Sequence, residues 1–356
     1  MPSYNFAAGP ATLPQPVLEQ VQAELLDYHG TGLSILEISH RSAAFEAIYQ
    51  SASQRLLRLL KLSAADYTPL FLQGGATLQF TMVPLNLATT HHRVAYADTG
   101  HWSQRAIEEA RRLPGLTVDV VTTAAPDYTT IPPVPALATD YDYLHITTNN
   151  TIMGTAYQQL PKATVPLVGD LSSNFLGQEY DFAAFDLLYA GAQKNLAPAG
   201  LTIVVVKTKY LREATDLPSM LNYPALAKKE SALNTPPVFQ IYVADLVLKW
   251  LEEQGGVAAL DAENRRKSAL IYDFLDQSRL FSSRVAPAAR SLTNIPFTTG
   301  DPARDAAFIK EAAAAGLVNL KGHRLVGGMR ASLYNAMPYA GALALRDFMH
   351  QFEHAH

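Results

Sequence analysis

The sequence has no cysteine among its 356 residues, and this absence excludes several kinds of chemistry. A chain without thiols forms no disulfide, offers no thiolate nucleophile and builds no cysteine-ligated metal site. Histidine spacings typical of zinc sites are missing too, because His91, His92, His354 and His356 have no partner at a suitable interval. We interpret these four as surface residues and expect no metal. Chemistry must therefore depend on lysine, histidine, arginine, aspartate or a bound cofactor.

Positive charge is also scarce. The chain has 28 Lys and Arg residues against 32 Asp and Glu residues, spread along its length, for a formal net charge of −4. This distribution gives no basic field that attracts nucleic acid or an anionic membrane, so we expect neither as a partner. An anionic ligand must be bound by a few local groups.

Long apolar runs are missing as well. The longest, residues 201–206, is interrupted at Thr202 and is far shorter than the ~20 residues that span a bilayer. It predicts a buried strand. The start of the chain, Met1-Pro2-Ser3-Tyr4-Asn5, lacks the basic region and the apolar stretch of a secretory signal, so we expect a cytoplasmic protein.

The sequence is nevertheless 48% hydrophobic, which suffices for a large domain and a smaller one. Short apolar runs alternate with segments of helical periodicity, which predicts an α/β fold with a mainly parallel, doubly wound sheet. Ligands are expected at the carboxyl ends of its strands. The predicted strands are residues 69–72, 93–98, 117–121, 143–147, 165–170, 187–191 and 201–206. The predicted helices are residues 17–28, 43–62, 76–88, 102–113 and a short one at 182–185.

Beyond Pro237 the pattern becomes helical. Two long helices are predicted at residues 238–253 and 257–277, leading away from the sheet as a spine. A small α+β C-terminal domain follows. Its predicted strands are residues 294–298 and 328–333, and its predicted helices are residues 303–315 and 341–352.

Lys194 lies in a turn between two predicted strands, in the segment Ala190-Gly191-Ala192-Gln193-Lys194-Asn195. By itself it is more typical of an ordinary loop lysine. Asp170 ends the strand before, where the alternative role is to cap the segment that follows it. The two together suit a pyridine ring held between them. The carboxylate would keep the ring nitrogen protonated, and the amine would form an imine and later move a proton.

Two further motifs suit the same ligand. The segment Gly74-Gly75-Ala76-Thr77 follows a predicted strand and opens a helix, so the backbone N–H groups of Ala76 and Thr77 could bind a phosphate. A Gly-Gly pair is more often a simple turn. Trp102, one of two tryptophans, follows another strand end. Its indole would stack on the pyridine ring or, alternatively, pack in the core or at an interface.

Three basic clusters are candidates for binding an anion. They are His40-Arg41, His323-Arg324 and Arg330, the last two within the glycine-rich residues 322–330. Arginine binds carboxylate and phosphate through two parallel hydrogen bonds, and histidine adds a charge that follows pH. For any one of these clusters the alternative is surface ion pairing.

Four segments together indicate a family resemblance. They are Ser39-His40-Arg41-Ser42, Ala190 to Asn195, Leu233-Asn234-Thr235-Pro236-Pro237 and residues 322–330. With them the chain, from Asn5-Phe6-Ala7-Ala8-Gly9-Pro10 to residue 338, resembles the phosphoserine aminotransferase family of class-V, fold-type I aminotransferases. The resemblance implies a large domain with a mainly parallel seven-stranded sheet at residues 17–260 and a small domain at 261–356. It also implies an N-terminal segment, residues 1–16, that joins the small domain.

The resemblance further implies pyridoxal 5'-phosphate as cofactor and a homodimer whose active sites are shared between subunits. Lys194 resembles the lysine that carries the cofactor as a Schiff base, Asp170 the partner of the ring nitrogen and Trp102 the stacking ring. The other implied ligands are Ala76, Thr77 and Gln193 for the phosphate, Thr151 for the ring oxygen, and Asn234 and Thr235 for the phosphate of the other subunit.

For substrates, the resemblance implies that Arg330 binds the α-carboxylate. His40, Arg41, His323 and Arg324 are similar to the residues that bind the distal anion. The implied reaction is a ping-pong transamination from L-glutamate to 3-phosphohydroxypyruvate, giving 2-oxoglutarate and O-phospho-L-serine in serine biosynthesis. A second substrate, 4-phosphohydroxy-L-threonine of pyridoxine biosynthesis, is left open. Some family members have an arginine in place of Thr77, which puts the relative substrate affinities of this chain in doubt.

Two other functions stay open on the residues alone. One is a fold-type I relative that eliminates or desulfurates, although the persulfide chemistry of cysteine desulfurases needs the cysteine that this chain lacks. The other is a non-catalytic binding module with the same fold. The presence of Lys194, Asp170 and Arg330 counts against it.

Overall fold

A computed structural model describes residues 3–211 and 216–356. Met1 and Pro2 of the predicted N-terminal segment lie outside the described residues. The strands are β1 Tyr4–Asn5, β2 Tyr67–Leu72, β3 Arg93–Asp98, β4 Thr117–Thr123, β5 Tyr143–Thr147, β6 Leu167–Asp170, β7 Leu187–Gly191, β8 Thr202–Lys207, β9 Asn294–Phe297, β10 Leu317–Val318 and β11 Met329–Ser332. The α-helices are α1 Gln15–Glu24, α2 Ala43–Leu59, α3 Gly75–Leu87, α4 His101–Arg111, α5 Tyr223–Lys228, α6 Val238–Glu253, α7 Gly256–Gln277, α8 Pro302–Ala314 and α9 Tyr339–Ala355.

Seven strands form one sheet in the order β2-β8-β7-β6-β5-β3-β4. Strands β3, β4, β5, β6 and β7 run parallel to one another, whereas β8 is antiparallel to both β2 and β7. The predicted mainly parallel seven-stranded sheet is therefore confirmed, with strand ends displaced by at most two residues. These strands are readable in the sequence because most are buried on both faces, as parallel strands covered by helices must be.

Helices cover both faces of the sheet. On one face, α2 begins at Ala43, where the Ser42 side chain accepts a hydrogen bond from the Phe45 N–H at 3.3 Å. This helix and α6 pack into the core that contains Phe71 and Ile203. The other face is covered by α3 and α4, whose residues Phe80 and Ile107 share a core with Tyr189. The carboxyl ends of β5, β6 and β7 lead into the loops that contain Thr151, Ser172 and Lys194.

The two long helices differ from the predicted spine. Helix α6 packs against the sheet layer, because Ile241, Val247 and Leu248 are buried in the same core as Phe71. Helix α7 alone passes between cores: its residue Leu260 lies in the first, whereas Ile271 lies in a separate C-terminal core. The domain boundary predicted at residue 260 falls within this helix and stays a prediction.

The C-terminal core contains β9 and β11, which pair antiparallel, together with α8 and α9. Strand β1 pairs in parallel with β10, with Tyr4 opposite Leu317, and Phe6 is buried in the same core. The first residues of the chain thereby approach the turn after β7, where the Ala11 N–H donates to the Gln193 carbonyl at 3.0 Å. No helix in the described ranges is long and apolar enough to cross a membrane.

Candidate active site

Lys194 lies in the turn after β7, at the carboxyl end of the parallel strands. Its Nζ donates a hydrogen bond to Thr151 Oγ1 at 2.8 Å, and Thr151 follows β5. Burial of the amine lowers the pKa of Lys194 to about 8; the nearby charge of Arg330 adds to this shift, and Asp170 opposes it. At neutral pH a larger fraction of this amine is therefore uncharged than for an exposed lysine.

Asp170 is the last residue of β6 and is buried. Its Oδ1 accepts hydrogen bonds from Ser172 Oγ at 2.6 Å and from the Ser172 N–H at 3.0 Å. Burial raises the pKa of Asp170, whereas the charge of Lys194 and the two Ser172 hydrogen bonds oppose that rise. Among the described residues both donors use Oδ1, so Oδ2 can accept from a ligand. A protonated ring nitrogen fits this position, because it would supply the charge that the buried carboxylate needs.

Two donors at the site have no partner among the described residues. Trp102 Nε1 and Arg330 Nε are both buried and unbonded, although Arg330 Nη1 donates to the Thr151 carbonyl at 3.2 Å. An unpaired buried donor costs about 1–3 kcal/mol, so such atoms indicate an acceptor that binds here. The Trp102 ring lies 5.8 Å from Lys194 Nζ, which leaves a flat group room beside the amine.

The start of α3 provides a phosphate cradle. Gly74 and Gly75 adopt φ values of +93° and +66°, which place the first turn of the helix directly after β2. The N–H groups of Ala76 and Thr77 stand in that first turn, where the helix itself supplies no acceptor and its dipole favours an anion. Gln193 lies in the same turn as Lys194.

Asn234 and Thr235 lie at the edge of this cradle rather than in it. Both are exposed, and the Thr235 carbonyl accepts a hydrogen bond from Gln73 Nε2 of the same chain at 3.1 Å. The single chain thus places them at the surface beside α3. Their predicted contact with the phosphate of another subunit stays a prediction.

The basic residues divide into two groups. His323 lies close to Arg330 and Arg324, and burial together with those charges and that of His101 lowers the pKa of His323. His40 and Arg41 lie instead in the loop before α2, where Arg41 is exposed. Nothing among the described residues joins His40 or Arg41 to Lys194 or Arg330. The structure therefore brings together Lys194, Asp170, Thr151, Trp102, Arg330 and His323, and keeps His40, Arg41, Asn234 and Thr235 apart from them.

Three residues at or beneath the site were missed in the sequence. Ser172 orients Asp170, and the Gly191 N–H fixes its hydroxyl at 3.0 Å. His101 lies between Trp102 and His323. His145 is buried in β5, with Nε2 at 2.9 Å from the Tyr189 hydroxyl, and burial lowers its pKa to about 3. The sequence contains signals for them: Ser172 lies two residues after Asp170, His101 precedes Trp102, and His145 is a histidine within a mainly apolar strand.

Comparison with known proteins was consistent over the whole chain. The family model for class-V aminotransferases matches residues 3–345. Among relatives named phosphoserine aminotransferase, that of Limosilactobacillus fermentum is 78% identical over 354 residues, covering 99% of both chains. That of Lactobacillus helveticus is 56% identical, covering 100% of this chain and 96% of the relative.

Solved structures agree with this. Phosphoserine aminotransferase from Bacillus circulans subsp. alkalophilus superposes with a TM-score of 0.95 at 43% identity, covering 99% of each chain. The enzyme of the same name from Trichomonas vaginalis, solved with bound pyridoxal phosphate, gives a TM-score of 0.92 at 37% identity and covers 98% of this chain and 99% of that one. Since the family model spans almost every residue and the relatives align end to end, the chain belongs to the class-V aminotransferase family.

Proposed function

We propose that the chain catalyses transamination between L-glutamate and 3-phosphohydroxypyruvate, giving 2-oxoglutarate and O-phospho-L-serine, in the cytoplasm. The observation that carries the proposal is the convergence of Thr151, Asp170 and Lys194 at the carboxyl ends of three adjacent parallel strands. This edge is where open α/β sheets bind ligands. The full-length similarity to relatives named phosphoserine aminotransferase supports the choice of substrates.

The cofactor of this reaction is pyridoxal 5'-phosphate, which when bound accepts electrons from the substrate carbon into its ring. Lys194 would hold it covalently and Asp170 would bind its ring nitrogen through Oδ2. Trp102 would stack on the ring, and its unpaired Nε1 has a hydrogen bond to give. The remaining contacts would come from Thr151 to the ring oxygen and from Ala76, Thr77 and Gln193 to the phosphate.

Lys194 would then act as the base. In this role Nζ would have to be uncharged to take the proton from the substrate Cα. With a pKa of about 8, roughly a tenth of the amine is uncharged at pH 7. For a lysine with an ordinary pKa the fraction is about three in ten thousand. Burial next to Arg330 thus raises the uncharged fraction of the Lys194 amine at pH 7, so that Lys194 itself can act as the base.

Substrate binding would be divided between two anion sites. Arg330 faces Lys194 and would bind the α-carboxylate through its guanidinium, whose Nε is buried without a partner among the described residues. The distal anion, phosphate or side-chain carboxylate, would be received by His323 and Arg324 together with His40 and Arg41. Thr77, at the position where some family members have an arginine, contributes no charge to the distal-anion site.

The proposal includes a homodimer, and the residues that the single chain leaves exposed support it. Asn234, Thr235 and Arg41 are all exposed although each is assigned to an active site. Leu26 and Leu36 are 83% and 62% exposed, close in sequence to Arg41. A second copy that covers this apolar surface would also bring the exposed polar groups to its neighbour's cofactor.

The proposal is tested by absorbance of the purified protein after incubation with pyridoxal phosphate. Glutamate should remove the visible band of the bound cofactor, and 3-phosphohydroxypyruvate should restore it. If only another keto acid restores the band, the reaction is a transamination with a different acceptor. If no visible band forms, the cofactor assignment is wrong, and the catalytic proposal with it.

A further inference from the structure

His101 is the first residue of α4 and lies at the rim of the site. Its ring packs edge-on against the Trp102 indole, with centroids 5.1 Å apart. On its other side it faces His323 at a centroid distance of 6.3 Å, across the gap between α4 and the loop before β11. The two imidazoles thus stand opposite each other beside the ring that is assigned to stack on the cofactor.

The charges around this imidazole pair are mostly positive. On α4 itself His101 faces Arg105 and Glu108, but Arg105 is bound to Glu108 at 2.6 Å and to Glu109 at 2.9 Å. From the opposite loop it faces His323 and Arg324. Arg330 acts on His323 from the adjoining strand. When the ion pairs within α4 are set aside, cationic groups outnumber anionic groups around the gap. This favours the binding of an anion.

Burial and the neighbouring cations lower the pKa of both His101 and His323. Without a ligand both rings are therefore protonated to a smaller extent than ordinary histidines, which limits the repulsion between them and the arginines. An anion bound against the edges of both rings would raise both pKa values again, because a negative charge nearby favours the imidazolium. A phosphate ester is a dianion above its second pKa of about 6, whereas a carboxylate has a single charge. The pair is thus suited to the more highly charged group.

We propose that His101 is a specificity-determining residue that binds the distal phosphate of the substrate together with His323, and that it favours a phosphate over a carboxylate. This inference rests on the proposed function, and it extends the anion site to α4. Each imidazole donates one hydrogen bond to the phosphate and takes up a proton when the dianion binds. Phosphate affinity therefore falls as pH rises from the lowered pKa of the free rings to the raised pKa of the phosphate-bound rings, because the protonated rings are lost.

The test compares two amino donors on the cofactor-loaded protein. For O-phospho-L-serine, His101→Gln should raise KM about tenfold, which corresponds to the loss of one charge-assisted hydrogen bond. For glutamate, KM should rise less than about twofold, since a carboxylate profits little from the second imidazole. His101→Arg restores a permanent charge and should recover the affinity for O-phospho-L-serine while flattening its dependence on pH. His91→Gln, on the exposed loop before β3, serves as the matched control.

A second readout is independent of turnover. The cofactor-loaded protein is titrated with inorganic phosphate and the histidine ring signals are followed by proton NMR. The pKa values of His101 and His323 should rise, and that of His91 should not change. Equal changes in KM for both donors, or phosphate that leaves the His101 signal unmoved, would overturn the inference. A wild-type protein that does not use O-phospho-L-serine at all would instead overturn the proposed function, so the two failures are distinct.

Discussion

Two lysines of the described chain, the half-buried Lys194 and the buried Lys267, share a pKa lowered to about 8, and their partners distinguish them. Lys267 Nζ donates to the carbonyls of Tyr334 and Met337, both at 2.9 Å, so its task is to satisfy a buried turn. Lys194 Nζ meets the Thr151 hydroxyl in a site with other unpaired donors. A lowered pKa thus selects candidates for catalysis, and the surroundings decide between them.

The first prediction concerns the pH dependence of Lys194. The uncharged amine is the nucleophile that attaches the cofactor, and its population rises as pH passes through the pKa of about 8. Stopped-flow absorbance should therefore show apo-protein capturing pyridoxal phosphate faster as pH rises from 6 to 9, with a midpoint near pH 8. A midpoint near 10.5 would mean that the amine is not perturbed. Lys194→Ala should capture no cofactor covalently, whereas Lys228→Ala, at an exposed position, should behave as the wild type.

The second prediction is that Asp170→Asn lowers kcat at least a hundredfold and leaves the fold intact. Asparagine keeps the shape but loses the charge that holds the ring nitrogen protonated, so electron withdrawal by the cofactor weakens. Since burial already raises the pKa of Asp170, removal of its charge should not lower the melting temperature of the apo-protein. Steady-state kinetics and thermal unfolding check both parts. A change confined to KM would contradict the assigned role.

At the scale of elements, the sequence predicts the sheet strands well because most are apolar runs buried among neighbours. It does not reveal that β8 runs antiparallel, since direction depends on the connection rather than on composition. Strands β1 and β10 have two residues each, too few to show any periodicity. The packing of α6 was missed for another reason: an apolar helical pattern identifies a buried helix but not the layer that it covers.

The topology of the sheet also explains which site residues could be predicted. Asp170 and Lys194 follow from it, because carboxyl ends of adjacent parallel strands meet at one edge. A role for His101 could not be predicted from the sequence, because it depends on contact with His323. The two residues are distant in sequence and meet only where the loop before β11 packs against α4. His40 and Arg41 remain separate in one chain, so no contact within it can test their role.

The third prediction concerns the first turn of α3. Gly74 has φ +93°, and a Cβ there would lie 2.5 Å from Leu78 Cδ2 and 2.7 Å from Leu78 Cβ. Gly74→Ala must therefore displace the helix start as well as strain the backbone. Gly115 has φ +77° with nothing within 4 Å of an added Cβ, so Gly115→Ala supplies the same strain of about 1 kcal/mol without the clash.

Cofactor titration of the two apo-proteins distinguishes these effects. Gly115→Ala should lose about 1 kcal/mol of stability, and Gly74→Ala should lose more because of its added clash with Leu78. Gly74→Ala alone should bind pyridoxal phosphate about tenfold more weakly, because the Ala76 and Thr77 N–H groups move away from the phosphate. Equal cofactor affinity in the two variants would show that the phosphate is bound elsewhere.

At the scale of the whole molecule, the single chain leaves part of the predicted site exposed. The cradle at α3 is formed by the chain's own backbone, yet Asn234 and Thr235 remain exposed beside Gln73. Two arrangements are consistent with this position. The segment could serve the phosphate of its own chain after a small movement, or it could cross a dimer interface to the other subunit. The exposed Leu26 and Leu36 favour an interface. The two arrangements are distinguished by whether substitution of Asn234 and Thr235 impairs the site of the same chain or that of the partner.

The last prediction uses mixed dimers to decide it. One chain carries Lys194→Ala, and the other carries Asn234→Ala with Thr235→Ala. Each homodimer should be inactive or weak at limiting pyridoxal phosphate, the first for lack of the lysine and the second for weak phosphate binding. In a mixed dimer, the intact Lys194 of one chain meets the intact Asn234 and Thr235 of its partner. Since half the dimers are mixed and each has one complete site, activity should recover to about a quarter of the wild-type value.

The control mixes Lys194→Ala with a chain that carries all three substitutions, for which no complete site can form in either arrangement. Differential tags confirm that subunits have exchanged. If mixed dimers form but their activity does not exceed the average of the two parents, the segment serves its own chain. In that case the Gln73–Thr235 contact within one chain, at 3.1 Å, already represents the functional arrangement, and the shared-site dimer is wrong.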